Sequence, residues 1–591
     1  MKRPLSLALA LLVWLLLATT LYAQADPLSV IPDDAWGVAV IRDISDTSAR
    51  IGKLTQKMQI PAPDLLTLAK SYAGVEKGLN EKGSIAAAIF PHPTDEGTFY
   101  FAIVVPVTDY KEFIGQFSPD DADAAISVVK IIGEDAAVTK KGDFAIFTDS
   151  DQRDLLERFQ ASTKSVKAVV EPLGQWLGDQ QVAVMATPAG KSKLFKQIIS
   201  ILPDADKAIE AGGDTDSAPA ANMRAAMEML QVFKKLLASA DEQLSHLALG
   251  VKVDDNTSLR VAARCLFVPE GRLAAWAKNI KLPARDLLFG LPGGKFVLAY
   301  GGVSGQFSPE FAALVNQFTD AGYRQMGLSE ESRKKAATAM DGLRAGSIAS
   351  SAVIAPIRPG DSVVAGAISI ERVKNSAEHL RITREMLAMM QAELKAKTTG
   401  EPLFAVSDVK VADLEALESV VNMTAISGVA DADTPGVGPM QSFFSKLFGE
   451  DGKIRTFMAA ADKETVVSAY TKEQLERAVA HVRSGDKGLE SDPQIAKTAT
   501  LMTPGSQWVA YVSPQGLVQW VGTLLQGIIP AEAEFKMPSF PATEPIGLAA
   551  RVSATSLDAE VVLPDSVVAG IGQFVVGIQA MLQGVDRPPL P

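Results

Sequence analysis

The chain has 591 residues, 47% of them hydrophobic and 21% charged, and its formal net charge is −12 at pH 7. A single hydrophobic core stops growing near ~250–300 residues, so this length predicts two domains or four smaller ones. The hydrophobic fraction excludes a disordered chain, and the acidic balance excludes the basic footprint of a nucleic-acid-binding protein.

The first 25 residues have the composition of an export signal. Lys2 and Arg3 precede an apolar stretch at 5–21, and Ala23-Gln24-Ala25 follows as a small-residue cleavage site. Cleavage would start the mature chain at Asp26 and change the net charge from −12 to −14. An uncleaved membrane anchor is the alternative, because the apolar stretch is nearly long enough to span a bilayer. We expect an exported protein, either periplasmic or extracellular.

The single cysteine, Cys265, lies in an apolar run at 259–268. One cysteine allows no intrachain disulfide, so the run predicts a small buried hydrophobic residue there. An intermolecular disulfide is the alternative.

Strand openings and helix starts recur along the chain. An apolar residue, a proline and a turn precede an aromatic residue that opens a predicted strand at 31–36, 291–296 and 502–508. After a strand, a Ser or Thr N-cap followed by proline predicts a helix start at Thr187-Pro188, Ser308-Pro309 and Ser513-Pro514. Residues 44–46, Ile-Ser-Asp, also contain residue types that cap helices, but no proline follows them.

Three further patterns occur twice in the same order. Gly-Ser-Ile-Ala at 83–86 and 346–349 opens predicted antiparallel hairpins, with strands at 84–90 and 98–107 and at 347–357 and 362–372. Strands at 143–148 and 465–470 run into charged helices, the second through a Thr471-x-x-Gln474 capping box. Hairpins at 250–259 and 549–557 lead to helices predicted to start at Pro269-Glu270 and Pro564-Asp565.

Because four patterns rarely repeat in order by chance, the sequence predicts an internal repeat. We expect an α+β protein of two tandem-duplicated lobes, 26–285 and 286–587, with a tail at 588–591. Each lobe would consist of antiparallel hairpins packed on one face by helices. Acidic or Pro-rich loops are predicted at 204–222, 430–439 and 530–545. Two methionine-bearing helices at 220–238 and 376–396 are predicted to place their methionines in the core.

Two motifs resemble catalytic or nucleotide-binding elements. Residues 187–192 lie where a phosphate-binding loop would, but Met185 occupies the position of its first glycine, and helix capping explains the segment. Ser304 resembles a nucleophile after a strand, but Gln306 replaces the required glycine. A hydrolase also needs a histidine beside the serine. The four histidines, His92, His246, His379 and His481, are predicted to be solvated surface residues.

Closely spaced aspartates at 120–123, 214–216 and 431–433 are predicted to form Asx turns, because none of them continues into a calcium loop. No His/Cys spacing indicates zinc. We therefore assign no catalytic, cofactor-binding or metal-binding residues. Paired carboxylates that are distant in sequence stay open as a glycoside-hydrolase arrangement.

The opening Ile-Pro-Asp-Asp-Ala-x-x-Val-Ala-Val at 31–40 and the Thr-x-x-Gln-Leu-Glu element at 471–476 resemble a family of large exported bacterial proteins with a domain of unknown function. The resemblance implies export and a repeated α+β architecture, and carries no catalytic residues. Our functional expectation is a non-enzymatic envelope protein that binds or scaffolds an unidentified protein or ligand, with a groove between the lobes as its working surface. The alternative is a secreted hydrolase with dispersed carboxylates.

Overall fold

A computed structural model of the chain describes residues 26–582, apart from 61–62, 96–97, 204–217, 281–285, 305–307, 359–360, 396–401, 423–447, 449–451 and 529–536. These residues contain sixteen α-helices and nineteen strands, and every pairing we name below is antiparallel. The α+β class is therefore confirmed. The predicted signal segment, the loop at 430–439 and the tail at 588–591 lie outside the described residues.

The contacts of the described residues form two compact units. The first unit contains 26–56, 60–194 and 246–257, and the second contains 57–59, 195–245 and 258–582. The lobe boundary between residues 285 and 286 stays a prediction.

The first unit contains eight strands. Along its sheet they lie in the order β4-β5-β6-β3-β2-β1-β7-β8. Their bounds are β1 Gly37–Ile41, β2 Ile85–Pro91, β3 Phe99–Pro106, β4 Ile126–Ile131, β5 Glu134–Lys141, β6 Phe144–Asp149, β7 Val182–Ala186 and β8 Leu244–Val253.

The second unit contains eleven strands. Their order is β13-β14-β15-β16-β12-β11-β10-β17-β18-β19-β9. Their bounds are β9 Leu259–Phe267, β10 Leu298–Val303, β11 Ser347–Ile354, β12 Ala367–Val373, β13 Phe404–Val411, β14 Leu414–Asn422, β15 Lys453–Ala460, β16 Thr465–Ala469, β17 Trp508–Val512, β18 Ile546–Val552 and β19 Ser556–Leu563.

The helices connect these strands. In chain order they are α1 Ile44–Lys57, α2 Leu65–Ala73, α3 Tyr110–Ile114, α4 Arg153–Ala161, α5 Val166–Val169, α6 Gly174–Gly178, α7 Pro188–Ile201, α8 Ala218–Gln243, α9 Arg272–Ala277, α10 Pro309–Gln325, α11 Glu330–Gly346, α12 Ser376–Lys395, α13 Lys472–Ser484, α14 Pro493–Ala499, α15 Pro514–Ile528 and α16 Asp565–Leu582. Residues Phe90 and Phe159 pack edge to face, 5.5 Å between ring centroids, which places α4 on one face of the first unit's sheet.

Both Gly-Ser-Ile-Ala hairpins are confirmed, as β2–β3 and β11–β12. The predicted N-caps are also confirmed, because Thr187, Ser308 and Ser513 accept a hydrogen bond from a first-turn backbone N–H. Where proline is absent, Asp43 takes this role for α1 through the N–H of Asp46.

Some details of the predictions are wrong. The hairpin predicted at 250–259 does not form, because β8 pairs with β7 and β9 pairs with β19, and no pairing joins β8 to β9 among the described residues. The helix expected at Pro269-Glu270 begins at Arg272, because Glu270 has a positive φ of 63° that no helix accommodates. The capping box at Thr471 is half formed: its hydroxyl accepts from the N–H of Gln474, but the side-chain oxygen of Gln474 has no partner among the described residues. Of the predicted methionine stripes, Met390 is buried, whereas Met229 is 41% exposed.

A glutamine side chain joins two strand ends in each unit. Gln181 precedes β7, donates from its amide to the carbonyl of Val253 and accepts from the same residue's N–H, at 2.9 and 2.7 Å. Gln507 precedes β17 and does the same with Val552, at 2.9 and 2.8 Å. The amide therefore replaces a backbone partner where the strand pairing ends. Gln507 is only 1% exposed.

We predict that Gln507→Ala lowers the free energy of unfolding by about 1–3 kcal/mol, because both backbone groups of Val552 would be left buried and unpaired. Urea denaturation measures this loss. Gln181→Ala is the matched control. It should lower the free energy of unfolding by less, since Gln181 is only half-buried and water can replace its amide. Equal losses at both positions would contradict the burial argument.

Candidate functional site

The first unit contains an apolar cavity of about 400 Å³. It lies between the helices α1 and α2 and the sheet face opposite α4, because alternate residues of a strand point to opposite faces. Sixteen of its nineteen lining residues are apolar, among them Ile51, Leu66 and Ala73 of the helices and Ile85, Ile103 and Phe147 of the strands.

Helix α2 closes one side of this cavity without being buried itself. Asp64 caps its start by accepting from the N–H of Thr67 at 2.8 Å, and Gly74 ends it with a φ of 68°. No residue of α2 is buried. Leu68 and Tyr72, which do not line the cavity, are 51% and 73% exposed. The helix is therefore held mainly at its ends.

The polar groups at the cavity wall already have partners. The hydroxyl of Thr47 donates to the carbonyl of Arg42, and that of Ser48 donates to Asp64 at 2.7 Å. This hydrogen bond and the one from Thr67 hold the pKa of Asp64 below its usual value. Lys70 forms an ion pair with Glu81 at 2.6 Å. An occupant would therefore be recognised by apolar contact rather than by a free polar group.

Below the cavity lies a buried cluster that includes Phe113, Phe117 and Phe147, packed edge to face. Tyr110 belongs to the cluster, and its hydroxyl has no partner among the described residues. Burial raises the pKa of Tyr110 to about 12, so the hydroxyl stays neutral. The wall beneath the cavity is thus firmly packed, in contrast to α2.

The second unit contains a polar pocket of about 330 Å³. Its wall includes four carboxylates, and each accepts a hydrogen bond from a nearby backbone N–H or hydroxyl: Asp286, Asp462, Asp486 and Glu490. Glu490, for example, accepts a hydrogen bond from the backbone N–H of Gly290 at 3.1 Å. The guanidinium of Arg372 lies 4.5 Å from the ring centroid of Phe289. These contacts place Asp286, Asp462 and Asp486 in local turns, whereas Glu490 joins two segments distant in sequence. Sequence reasoning did not identify this pocket.

The segment resembling a phosphate loop is a helix cap. The hydroxyl of Thr187 donates to the carbonyl of Ala35 at 2.8 Å and accepts from the N–H of Gly190 at 3.3 Å. A Cβ at position 190 would lie 1.7 Å from the carbonyl oxygen of Trp36. The glycine is required because another backbone strand passes against it, and its N–H is already used.

The prediction that all four histidines are solvated is wrong for His246 and His379. It also fails in part for His481, which is half-buried in the wall of the polar pocket with its Nε2 shielded from solvent. His246 is 6% exposed, because it lies on the covered face of β8, and its Nε2 contacts the carbonyl of Val169 at 2.9 Å. Burial lowers its pKa. His379 is 7% exposed, with Nε2 3.5 Å from a carboxylate oxygen of Glu371. Only packing against residues distant in sequence buries these rings.

Neither Ser347 nor Ser304 is arranged as a nucleophile. Ser347 donates its hydroxyl to Glu371, not to His379, so no imidazole accepts its proton. Ser304 follows β10, and its backbone N–H donates a hydrogen bond to the carbonyl of Ile348. Among the described residues its hydroxyl has no hydrogen bond with a histidine.

The described residues contain no group of three or more His, Cys, Asp or Glu side chains placed to hold a metal ion. At 120–123 one Asx turn is confirmed, since Asp121 accepts from the N–H of Asp123, whereas Asp120 accepts from the N–H of Val128 in β4. The aspartates at 214–216 and 431–433 lie outside the described residues.

Cys265 is a free, half-buried thiol in β9, directly opposite Leu557. Burial and then the charge of Asp558 raise the pKa of this thiol, which keeps it protonated and unreactive at neutral pH.

Comparisons with protein-family models, with curated proteins and with solved structures find no match to this chain. Within the part of the chain that the structure describes, no helix is both long and apolar enough to cross a membrane.

We predict that Gly190→Ala lowers the free energy of unfolding by roughly 3 kcal/mol, because its methyl group would overlap the carbonyl of Trp36. Ala189→Gly, one residue earlier and exposed, is the control and should cost no more than about 1 kcal/mol. Thermal or urea unfolding measures both. A Gly190→Ala protein with unchanged stability would show that the close approach is not what requires glycine.

Proposed function

We propose that this chain is an exported, non-enzymatic binding protein of the bacterial envelope, and that the apolar cavity of its first unit takes a hydrocarbon chain. The observation that carries the proposal is the cavity itself, about 400 Å³ in volume and lined by apolar side chains. Small-molecule sites are typically preformed, mostly apolar spaces of ~300–1,000 Å³.

The chemistry of the wall supports a hydrocarbon rather than a polar ligand. The polar lining residues Thr47, Ser48 and Lys70 are engaged within the protein, so a polar ligand would lose its water without gaining new partners. A hydrocarbon gains about 25 cal/mol for each Å² removed from water. The unburied helix α2 supplies a wall that moves at low cost.

We also propose that the two units are versions of one tandem-duplicated body. In support, β4-β5-β6-β3-β2-β1-β7-β8 of the first unit corresponds, strand for strand, to β14-β15-β16-β12-β11-β10-β17-β18 of the second. Two helices join β1 to β2, as two join β10 to β11, and β13 is an addition beside β14.

Side-chain details support the same correspondence. Gln181 and Gln507 make the same double hydrogen bond at equivalent strand ends. Gly190 and Gly516 each lie against a carbonyl oxygen, where a Cβ would come within 1.7 and 2.2 Å. Export remains part of the proposal on the strength of the signal-like segment at 1–25.

We predict that Ala73→Phe strongly weakens binding of cis-parinaric acid, a fluorescent single-chain fatty acid, because the added ring occupies part of the cavity that Ala73 lines and competes with the chain for that space. Fluorescence titration measures the affinity. Since the ring enters existing space, the unfolding temperature should not fall.

Ser71→Phe is the matched control, with the same ring on the exposed side of the same helix. It should bind the fatty acid as the unchanged protein does. Absence of binding by the unchanged protein, or full binding by Ala73→Phe, would refute the cavity as the site.

The polar pocket of the second unit is the observation that favours the hydrolase alternative, because four carboxylates line it. We expect no turnover of a panel of polysaccharides and esters, since each of those carboxylates already accepts a hydrogen bond within the protein. Turnover that Glu490→Gln abolishes, with folding retained by circular dichroism, would establish the hydrolase instead.

A further inference from the structure

An apolar surface extends beyond the cavity across the first unit's sheet. Five side chains form this open face, each between 37% and 57% exposed: Ile89, Phe99, Phe101, Val184 and Leu249. They belong to β2, β3, β7 and β8, with the small residues of β1 between them. Exposed apolar patches of this extent mark interaction sites rather than ordinary surface.

The strand register shows that the open face is continuous. Leu249 lies opposite Val184, and Val184 lies opposite Ala39 of β1. The same row continues through Ala87 to Ile103. A neighbouring row places Ile89 opposite Phe101. These side chains therefore line one face of five adjacent strands.

The open face and the cavity share residues. Ile41 and Ile103 line the cavity and are 36% and 38% exposed, and Phe101 lies two positions before Ile103 on the same face of β3. A molecule with one apolar chain in the cavity would thus have a second apolar track directly beside it.

The second unit provides an internal comparison at equivalent register positions. Ala367 and Ser369 of β12 occupy the places of Phe101 and Ile103, since Ile354 and Ala352 lie opposite them as Ile89 and Ala87 do in the first unit. Ala510 occupies the place of Val184. At these three positions the shared strand order accommodates small or polar side chains, so the fold does not require Phe101, Ile103 or Val184, whereas Ile354 and Leu548 keep large side chains in the places of Ile89 and Leu249.

We infer that the first unit binds a two-chain lipid, with one acyl chain in the cavity and the other along the open face. This inference rests on the proposed function and names its ligand class. A single fatty acid would leave the open face in water. A diacyl lipid covers both surfaces and leaves its headgroup in solvent, as the engaged polar groups at the cavity wall require.

The test compares two probes: cis-parinaric acid, and a phosphatidylcholine with one pyrene-labelled chain offered in phosphatidylcholine vesicles. The variant is Phe101→Ala with Val184→Ala, which installs the residues of the second unit. We expect uptake of the pyrene lipid, read from the loss of excimer fluorescence, to weaken about tenfold or more, because two large contacts are lost. Binding of cis-parinaric acid should not change.

Val575→Ala with Val576→Ala is the matched control, because it shortens two exposed apolar side chains in the second unit. It should leave uptake unchanged. Protein that binds the fatty acid but takes up no phospholipid would overturn this inference and leave the proposed function intact. A change in oligomeric state with unchanged lipid uptake would overturn it as well, by making the open face a protein contact.

Discussion

The architecture of the first unit depends on the alternation of side chains along β1, β2 and β3. Val38, Ala88 and Phe90 point to the face that α4 covers, and all are fully buried or nearly so. The residues between them, such as Ile89, are apolar too, but helices cover only part of their face. The cavity lies where α1 and α2 approach this second face, and the open face lies where they do not.

The same alternation separates side chains whose burial stabilises the sheet from apolar side chains that stay exposed. Burial on the covered face stabilises the sheet, because each large apolar side chain contributes about 1.5–3 kcal/mol when removed from water. The second face contributes little at its open part, so its apolar residues are available to a ligand. The polar pocket of the second unit differs, since its carboxylates accept hydrogen bonds in local turns or, for Glu490, from a distant backbone segment.

Local chemistry explains which elements could be predicted. The hairpins β2–β3 and β11–β12 and the caps at Thr187 and Ser513 depend on residues only a few positions apart. The wrong predictions concern residues whose burial or pairing depends on contacts with residues distant in sequence. His246 resembles a surface histidine in sequence. In the structure its ring contacts the carbonyl of Val169 in α5.

The sequence by itself determined the class of the fold, the two Gly-Ser-Ile-Ala hairpins and the helix starts at Thr187, Ser308 and Ser513, because backbone dihedrals and capping hydrogen bonds are set by neighbouring residues. Only the tertiary structure decided where the cavity lies and which apolar strand residues stay exposed. Whether a side chain such as Phe101 is covered depends on helices many residues away, and a period-two pattern is the same for a covered face and an open one.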